Sequence, residues 1–245
     1  MGRDAGSPPR RLVYGRRKGR PLRPGREALL AERLPALEIA LPDGGGTLDP
    51  AALFGARHGP VWLEIGFGAG EHLLETAAAH PEAVFIGCEP FLNGVARLLS
   101  AADEALLPRL RLFRDDARLL LASLPEGSVD RAFVLFPDPW PKTRHHKRRI
   151  IAPDTAAALA RVLADGAELR TATDIDGYKA WMLEHLLATG AFAWTARGPA
   201  DWRQRPADWP ATRYEAKARA AGREPAYFRF RRRARGGMRL RPAAK

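Results

Sequence analysis

The chain has 245 residues, of which 46% are hydrophobic and 28% are charged. These values are ordinary for a soluble globular protein with one large or two small domains and a substantial core. The formal net charge of +12 is not ordinary. It favours an anionic partner, of which a nucleic acid is the first candidate.

Cysteine content and hydropathy exclude several other classes of protein. Cys88 is the only cysteine, so an intrachain disulfide and a cysteine-ligated zinc site are both excluded. The basic N-terminus lacks the apolar core of a secretion signal, and no stretch approaches the roughly 20 apolar residues that span a bilayer. We therefore expect a cytoplasmic protein with no membrane contact. The sequence indicates no obligatory protein partner and leaves the oligomeric state open.

Positive charge is concentrated at the two ends of the chain. Residues 1–26 contain nine Lys and Arg against one acid, and residues 229–245 contain eight and no acid. The first segment is also rich in Gly and Pro, so we interpret it as a mobile arm that orders on RNA. A solvated tail that only aids solubility is the alternative. The expected organisation is this arm followed by one domain over 27–245, which ends in the basic tail.

From residue 61 onward, short apolar runs alternate with segments of helical spacing. In chain order we predict strand 61–67, helix 71–80, strand 83–89, helix 91–105, strands 110–115 and 131–137, helix 153–166, strand 167–173, helix 178–190, and strands 191–196 and 226–232. Strands that alternate with helices of this length indicate an α/β fold. Its sheet is expected to be mostly parallel and to carry helices on both faces, since strands such as AFVLF at 132–136 are continuously apolar.

Glycines and acids follow three successive predicted strands. Ligands of open α/β sheets bind beyond the carboxyl ends of the strands, so these residues predict a cofactor site. Glu89 is placed to accept hydrogen bonds from both hydroxyls of a ribose, and Asp116 is placed to hold an adenine amino group. The predicted cofactor-binding residues at the three strand ends are Glu64, Gly66, Gly68, Gly70, Glu89, Asp116 and Ala117.

The glycine spacing favours one cofactor over another. The chain has G-x-G-x-G at 66–70, whereas dinucleotide sites carry G-x-G-x-x-G. Glu64, two residues before the first glycine, suits a cationic ligand better than a pyrophosphate. S-adenosyl-L-methionine carries a sulfonium and an ammonium group and no phosphate, so it fits this pattern. A nucleotide-dependent oxidoreductase is the rival interpretation.

A long motif follows the fourth predicted strand, PDPWPKTRHHKRR at residues 137–149. Together with EIGFGAG at 64–70, Thr173-Asp174 and TRYE at 212–215, it resembles the bacterial tRNA (guanine-N7)-methyltransferase family from about residue 12 to about residue 232. The resemblance implies a Rossmann-like class I methyltransferase fold with seven strands, the last antiparallel. It also implies methyl transfer from S-adenosyl-L-methionine to N7 of guanine 46 in the tRNA variable loop.

The resemblance assigns roles to individual residues. Glu64, Glu89, Asp116 and Asp138 are expected to line the cofactor. The expected guanine-side contacts are Lys142, Asp174, Thr212, Arg213, Tyr214 and Glu215. Cys88, Tyr214 and Lys217 replace the aliphatic residue, Phe and Arg that are usual in the family, and none of the three is an acidic position.

Guanine N7 already carries an in-plane lone pair, so the reaction requires alignment and exclusion of water but no general base. The methylated ring is cationic, and we assign Asp138 the catalytic role of positioning and electrostatic stabilisation. A structural Asp in a Pro-Asp-Pro turn is the alternative. Asp174 and Glu215 are placed to accept from guanine N1–H and N2–H2. Their alternative is pairing with nearby arginines or, for Glu215, an acid in the first turn of a helix.

The basic part of the motif is expected to contact RNA. Lys142 would donate to guanine O6 or to a phosphate, and Arg144 begins a basic run through Arg149 that is expected to bind phosphates. A solvated charged face is the alternative for this run. His145 and His146 have no spaced Cys or His partners, so no metal is expected. Trp140 either stacks on a flipped base or packs under the loop.

Two further functions compete with the expected one. An amino-group methyltransferase acting on adenine or cytosine of RNA or DNA typically places two prolines between its Asn or Asp and an aromatic residue. This chain has one proline between Asp138 and Trp140, which favours the N7 reaction. A non-catalytic RNA-binding relic of the fold is the other competitor, and the intact acids at all four cofactor positions argue against it.

Overall fold

The computed structural model describes residues 14–55 and 59–236, so part of the predicted arm and most of the basic tail lie outside it. Its strands are β1 (Val61–Ile65), β2 (Val84–Cys88), β3 (Leu110–Phe113), β4 (Val129–Leu135), β5 (Leu163–Thr173), β6 (Phe192–Trp194) and β7 (Ala226–Arg232). Its helices are α1 (Pro24–Leu37), α2 (Pro50–Leu53), α3 (Glu71–Ala79), α4 (Leu92–Ala101), α5 (Ala117–Ser123), α6 (Pro153–Val162), α7 (Asp176–Ala188), α8 (Ala200–Arg203) and α9 (Arg213–Ala220). No helix within the described ranges is long and apolar enough to cross a membrane.

The seven strands form one sheet in the order β3-β2-β1-β4-β5-β7-β6. Strands β1 to β5 are parallel, and β7 runs antiparallel to both of its neighbours, β5 and β6. The order reverses between β1 and β4, which is where open α/β sheets bind their ligands. The predicted mostly parallel, seven-stranded α/β fold with an antiparallel last strand is therefore confirmed.

Two hydrophobic cores lie on opposite faces of the sheet. One core includes Leu120 of α5, Leu159 of α6 and Met182 of α7, all fully buried. The other core includes residues of α1, α3 and α4, among them Leu73 and Leu98. Strand β2 is buried along its whole length, as its unbroken apolar sequence predicts for a strand covered on both faces.

Two helices, α4 and α6, end about one turn earlier than their sequences predict, and each end meets a tertiary contact. Helix α4 ends at Ala101, where Arg33 of α1 donates to the carbonyls of Leu99 and Ala102. Helix α6 ends at Val162 because Leu163 pairs with Val129 of β4 in the sheet. Neither interaction is visible in a local pattern, since each joins residues that are distant in the sequence.

Helices α1, α2, α5, α8 and α9 were not predicted from periodicity. Helix α1 begins at Pro24, so it includes the last three residues of the predicted arm, 24–26. The division into an arm and a domain stays a prediction. Helix α5 is only seven residues long, and its start is fixed by the Asp116 side chain accepting from the Arg118 N–H. Short helices of this kind carry less than two turns of periodicity.

Helix α3 leads away from the glycine turn after β1, and a buried arginine fixes its far end. Arg109 is 8% exposed and donates to the carbonyl oxygens of Ala77, His80 and Ala83 at 2.8–2.9 Å. Ala77 lies in the last turn of α3, where carbonyls have no partner within the helix. Arg109 therefore ties the end of α3 to the loop that starts β2.

We predict that Arg109→Met destabilises the fold by roughly 2–4 kcal/mol, since it removes charged donors and leaves buried carbonyls unpaired. The free energy of unfolding in urea measures this change. Arg97 lies exposed on α4 and is the matched control, because Arg97→Met is expected to change stability by no more than about 0.5 kcal/mol. Equal losses in the two variants would contradict the role given to Arg109.

Candidate functional site

A cleft of about 570 Å³ opens at the carboxyl edge of the sheet, beyond strands β1 to β4. Its volume is in the range of small-molecule sites. The predicted site residues that line it are Gly66, Gly68, Glu89, Asp116, Ala117, Asp138 and Tyr214. Residues from five separate segments of the sequence are thus brought together at the place that the strand order predicts.

Glu89 ties together two segments of the cleft wall. Its Oε2 accepts from the Gly68 N–H at 2.8 Å, and its Oε1 accepts from the Phe91 N–H at 2.9 Å. The side chain is 8% exposed. Burial raises the pKa of this carboxyl, and the Asp138 carboxylate raises it further, while the two N–H donors and Arg213 lower it. Each carboxylate oxygen keeps a lone pair for a ligand.

Gly68 must be a glycine for two reasons. Its φ of +60° lies in the left-handed region, which side chains disfavour. A side-chain carbon added there would also lie 3.1 Å from the Tyr214 ring. The neighbouring helix approaches just as closely, because a carbon added at Gly94 would lie 2.2 Å from the Gly68 carbonyl oxygen. The turn after β1 and the start of α4 therefore pack backbone against backbone.

Asp116 forms the opposite wall of the cleft. Its Oδ1 accepts from the backbone N–H of Arg118 at 3.0 Å and from the Arg118 guanidinium at 3.1 Å. The residue is 4% exposed. Arg118 also donates to the Arg149 carbonyl at 3.3 Å, so the same guanidinium links the end of β3 to the motif that follows β4.

Asp138 is exposed at the mouth of the cleft, on a loop with a strained backbone. Phe136 and Trp140, which flank the Pro-Asp-Pro sequence, have φ values of +49° and +42°. Non-glycine residues in this region cost about 1–3 kcal/mol each and persist only where the surroundings hold them. The loop is therefore held in a conformation that its own sequence does not favour.

Arg149 is the side chain that holds this loop. Its Nε donates to the Pro139 carbonyl at 2.8 Å, and its guanidinium lies over the rings of Tyr178 and Trp181, 4.8 and 4.7 Å from their centroids. The residue is 3% exposed. The rings are fixed in turn, since Trp181 Nε1 donates to the Ile151 carbonyl at 2.6 Å. The basic run was expected to bind phosphates, but its last member is a buried structural residue.

Arg148, by contrast, lines the cleft. Its guanidinium lies over two aromatic rings, 5.3 Å from the centroid of Tyr14 and 4.9 Å from that of Trp140. Trp140 also meets His145 edge to face at 5.9 Å. Trp140 is thus packed within the loop and still borders the cleft, which leaves both predicted roles available to it.

The end of the basic arm covers the cleft, which the sequence did not indicate. Tyr14, Gly15 and Arg16 line it, and a side-chain carbon at Gly15 would lie 3.9 Å from Asp138 Oδ2. The arm is anchored on α4, where the Leu92 N–H donates to the Arg17 carbonyl at 2.9 Å and the Asn93 side chain bonds to the backbone of residues 19 and 20. The rest of the arm, residues 1–13, lies outside the described ranges.

Two predicted cofactor residues stand apart from the cleft. Glu64 is buried and its Oε2 lies 2.7 Å from His72 Nδ1 of α3. Gly70 caps the start of α3 at a φ of +85°, packed against Leu98. Neither residue lines the cleft, and both lie behind the residues that do. His72 carried no signal in the sequence because it lies inside an ordinary helical pattern.

The predicted guanine-side acids are both paired with arginines. Asp174 Oδ2 lies 2.5 Å from Arg223 Nε. Glu215 is 6% exposed and pairs with Arg205 at 3.2 Å and with Arg219 at 3.1 Å. The alternative considered for these acids, pairing with nearby arginines, therefore describes them in this structure.

The other predicted substrate residues, apart from Tyr214, do not line the cleft. Lys142 and Arg144 are exposed at the start of the basic run. Thr212 caps α9 by accepting from the Glu215 N–H at 3.2 Å, which completes the Thr-x-x-Glu pattern of a helix start. Arg213 lies 3.5 Å from Glu71 and holds the Tyr214 hydroxyl at 3.1 Å. Of this group only Tyr214 lines the cleft.

Other parts of the molecule do not compete with this site. A cleft of about 820 Å³ between α6 and α7 contains none of the predicted site residues. Within the described ranges, no group of three or more His, Cys, Asp or Glu is arranged to hold a metal ion. Cys88 is buried, and burial raises the pKa of its thiol, as expected of a small core residue.

Comparison with known proteins identifies the relatives of this chain. A family model described as a putative methyltransferase matches residues 58–227. A tRNA (guanine-N(7)-)-methyltransferase of Rhodospirillum rubrum is 56% identical over 224 residues, which cover 91% of this chain and 88% of the relative. The enzyme of the same name from Paracoccus denitrificans is 46% identical over 232 residues, 93% of this chain and 97% of the relative.

Solved structures show the same fold at low sequence identity. The 16S rRNA methyltransferase KamB superposes with a TM-score of 0.53 at 14% identity, covering 80% of this chain and 96% of that one. The 16S rRNA (adenine(1408)-N(1))-methyltransferase of Catenulisporales acidiphilia superposes with a TM-score of 0.51 at 18% identity, covering 80% and 99%. These likenesses support the class I methyltransferase fold.

We predict that Arg149→Met increases amide hydrogen exchange in a peptide spanning 136–149 by about tenfold or more, since a bond from a charged donor contributes roughly 1.5–3 kcal/mol. Mass spectrometry of exchanged peptides measures it, with β1 as the internal reference. Arg144→Met removes an exposed charge from the same run and is the matched control. Unchanged exchange in Arg149→Met would show that the loop does not depend on this arginine.

Proposed function

The chain belongs to the bacterial tRNA (guanine-N7)-methyltransferases, and we propose that its target is the guanine at position 46 in the variable loop. The proposed place of the reaction is the cleft beyond β1 to β4. The reaction is transfer of a methyl group from S-adenosyl-L-methionine to guanine N7. The observation that carries the proposed site is the convergence of Glu89, Asp116 and Asp138 in one cleft.

The donor set of the cleft fits S-adenosyl-L-methionine. Glu89 offers its remaining lone pairs to the two ribose hydroxyls, and Asp116 lies on the facing wall to accept from the adenine amino group. The turn at Gly68 brings backbone close to the ligand. When bound, the cofactor supplies an electrophilic methyl group on its sulfonium. Glu64 would act at longer range on that positive charge, since its side chain stays paired with His72.

Asp138 is the proposed catalytic residue. It lies at the mouth of the cleft, where its carboxylate is exposed to an incoming base and close to the arm at Gly15. Because the methylated guanine is cationic, a fixed carboxylate stabilises charge as it develops. The hydrogen bond from Arg149 to the Pro139 carbonyl keeps the loop in place. The tertiary contacts that hold Phe136 and Trp140 strained serve the same purpose.

The two guanine-side acids are proposed to act differently. The Asp174 pair is partly open, with the Arg223 side chain 42% exposed and the Asp174 side chain 15% exposed, and it involves a single arginine. Asp174 can therefore exchange Arg223 for guanine N1–H and N2–H2. Glu215 is held by two arginines in a buried position, and separating it would cost far more. We assign Glu215 to holding α9 and Tyr214 over Gly68.

The remaining predicted residues are proposed to contact the tRNA around the guanine. Lys142 and Arg144 are exposed beside the Asp138 loop and suit phosphate contacts. Thr212 and Arg213 fix the start of α9, from which Tyr214 reaches the cleft. Bacterial tRNA is made and used in the cytoplasm, which is the proposed location of the protein.

We predict that the protein methylates an unmodified tRNA transcript and leaves unmethylated the same transcript with adenosine at position 46. Asp138→Asn keeps the shape of the side chain but removes its charge, and is expected to lower kcat on the order of 100-fold with little change in cofactor binding. Transfer of labelled methyl groups measures kcat and the methylation of each transcript, and titration calorimetry measures cofactor binding. Asp154→Asn, on the first turn of α6, is a control outside the cleft. Equal methylation of the two transcripts would contradict the assigned target.

We also predict that cofactor affinity falls as the pH is lowered. The fall should begin at a higher pH than it would if the pKa of Glu89 were that of an exposed Glu. The pKa of Glu89 is raised by burial, so its carboxylate is present above that raised pKa and is lost as the pH falls through it. Titration calorimetry from about pH 8 to pH 5 measures the dissociation constant. Glu89→Gln should bind more weakly at neutral pH and with a flatter profile, whereas parallel profiles would exclude Glu89 as the cause.

A further inference from the structure

Among the residues that the structure describes, no helix of the core that contains Leu73 and Leu98 covers the half of the sheet beyond β4. Helices α1, α3 and α4 cover β1, β2 and β3 on this face through the core that contains Leu73 and Leu98. Beyond β4 this core continues only at the carboxyl edge, through Trp209 and Tyr227. The lower parts of β4, β5 and β7 present polar side chains instead. We call this surface the open face.

Arginines follow one another across the open face in the register of the sheet. Arg131 of β4 stands opposite Glu168 of β5, and Glu168 stands opposite Arg231 of β7. One row higher, Arg170 of β5 stands opposite Arg229 of β7. These positions share a face because side chains at every second residue of a strand point the same way.

The acids on the open face form direct ion pairs with the inner arginines. Glu168 pairs with Arg131 at 3.4 Å and with Arg170 at 2.9 Å, and Asp208 pairs with Arg170 at 2.5 Å. Within the described ranges, Arg229 forms no direct ion pair, although Asp201 and Asp208 are near enough to interact with it electrostatically. Arg231 is exposed and donates to the Gly166 carbonyl at 2.9 Å, and Arg229 is half-buried. These two guanidiniums on β7 are therefore not locked in direct ion pairs.

The open face lies directly below the proposed guanine side. Asp174 follows the end of β5, and Glu168 is six residues earlier, so the lower row of arginines lies about 20 Å from Asp174 along the strand. Asp208, which pairs with Arg170, belongs to the same segment as Arg205, the partner of Glu215. A large polyanion whose guanine occupied the cleft would extend over this surface.

We propose that the open face, centred on Arg229 and Arg231, is a second RNA-binding surface, which holds phosphates of the tRNA body away from the methylated guanine. This rests on the proposed function, since it takes the tRNA as the ligand. Guanidiniums match phosphate geometry and are preferred for such contacts. The surface has no large exposed apolar residue, unlike the centres of protein interfaces, so a polyanion fits it better than a protein.

The test compares Arg229→Glu with Arg97→Glu, in which an exposed arginine on the outer surface of α4 is replaced. Each changes the net charge by the same amount, so a general loss of attraction to RNA is matched. A glutamate at position 229 would stand opposite Arg170 but would also lie near Asp201 and Asp208, so the neutral Arg229→Gln is needed beside it. Arg229→Gln and Arg229→Lys complete the series, and melting temperatures establish that each variant is folded.

Arg229→Glu is expected to weaken binding of unmodified tRNA about tenfold at low salt. The slope of log affinity against log salt concentration is expected to become shallower by about 1. Arg229→Gln should show a smaller loss, Arg229→Lys should be close to the parent, and kcat at saturating tRNA should be unchanged. Equal affinities for Arg229→Glu and Arg97→Glu would overturn the proposal. Failure of the parent protein to methylate tRNA would instead refute the proposed function, independently of this comparison.

Discussion

The cleft depends on one buried carboxylate that joins segments distant in the sequence. Glu89 accepts hydrogen bonds from the Gly68 N–H after β1 and from the Phe91 N–H before α4. An unpaired N–H buried at either place would cost about as much as a lost hydrogen bond. The carboxylate bears a desolvation cost, which is visible in its raised pKa. The same atoms that close the turn are therefore fixed in place and keep lone pairs for a ligand.

The second wall of the cleft depends on arginines that act inside the protein. Arg118 links Asp116 to the carbonyl of Arg149, and Arg149 links that point to Pro139 beside Asp138. The wall at Asp116 and the loop that carries Asp138 are thus connected through two guanidiniums. Since the loop backbone is strained at Phe136 and Trp140, its position depends on this connection. Positive charge in this protein therefore builds the site as well as attracting RNA.

The sequence predicted the sheet and the meeting of Glu89, Asp116 and Asp138 in one cleft, because both depend on local patterns at strand ends. Glu89, Asp116 and Asp138 each follow an apolar strand, and parallel strands bring their carboxyl ends together. The guanine side was less visible, since Asp174 and Arg223 are 49 residues apart and nothing local indicates their pairing. The position of the arm over the cleft was also missed. Its composition predicted only RNA binding, whereas its backbone forms hydrogen bonds with the distant Asn93 side chain of α4.

The chemical identity of the methylated nucleoside tests the central claim most directly. Unmodified tRNA would be incubated with the protein and S-adenosyl-L-methionine, digested to nucleosides and examined by mass spectrometry against standards. The account predicts 7-methylguanosine as the product, because the site offers a carboxylate for a cationic ring and needs no general base. A methylated amino group on adenosine or cytidine would contradict it and would place the chain's chemistry with the amino-group methyltransferases.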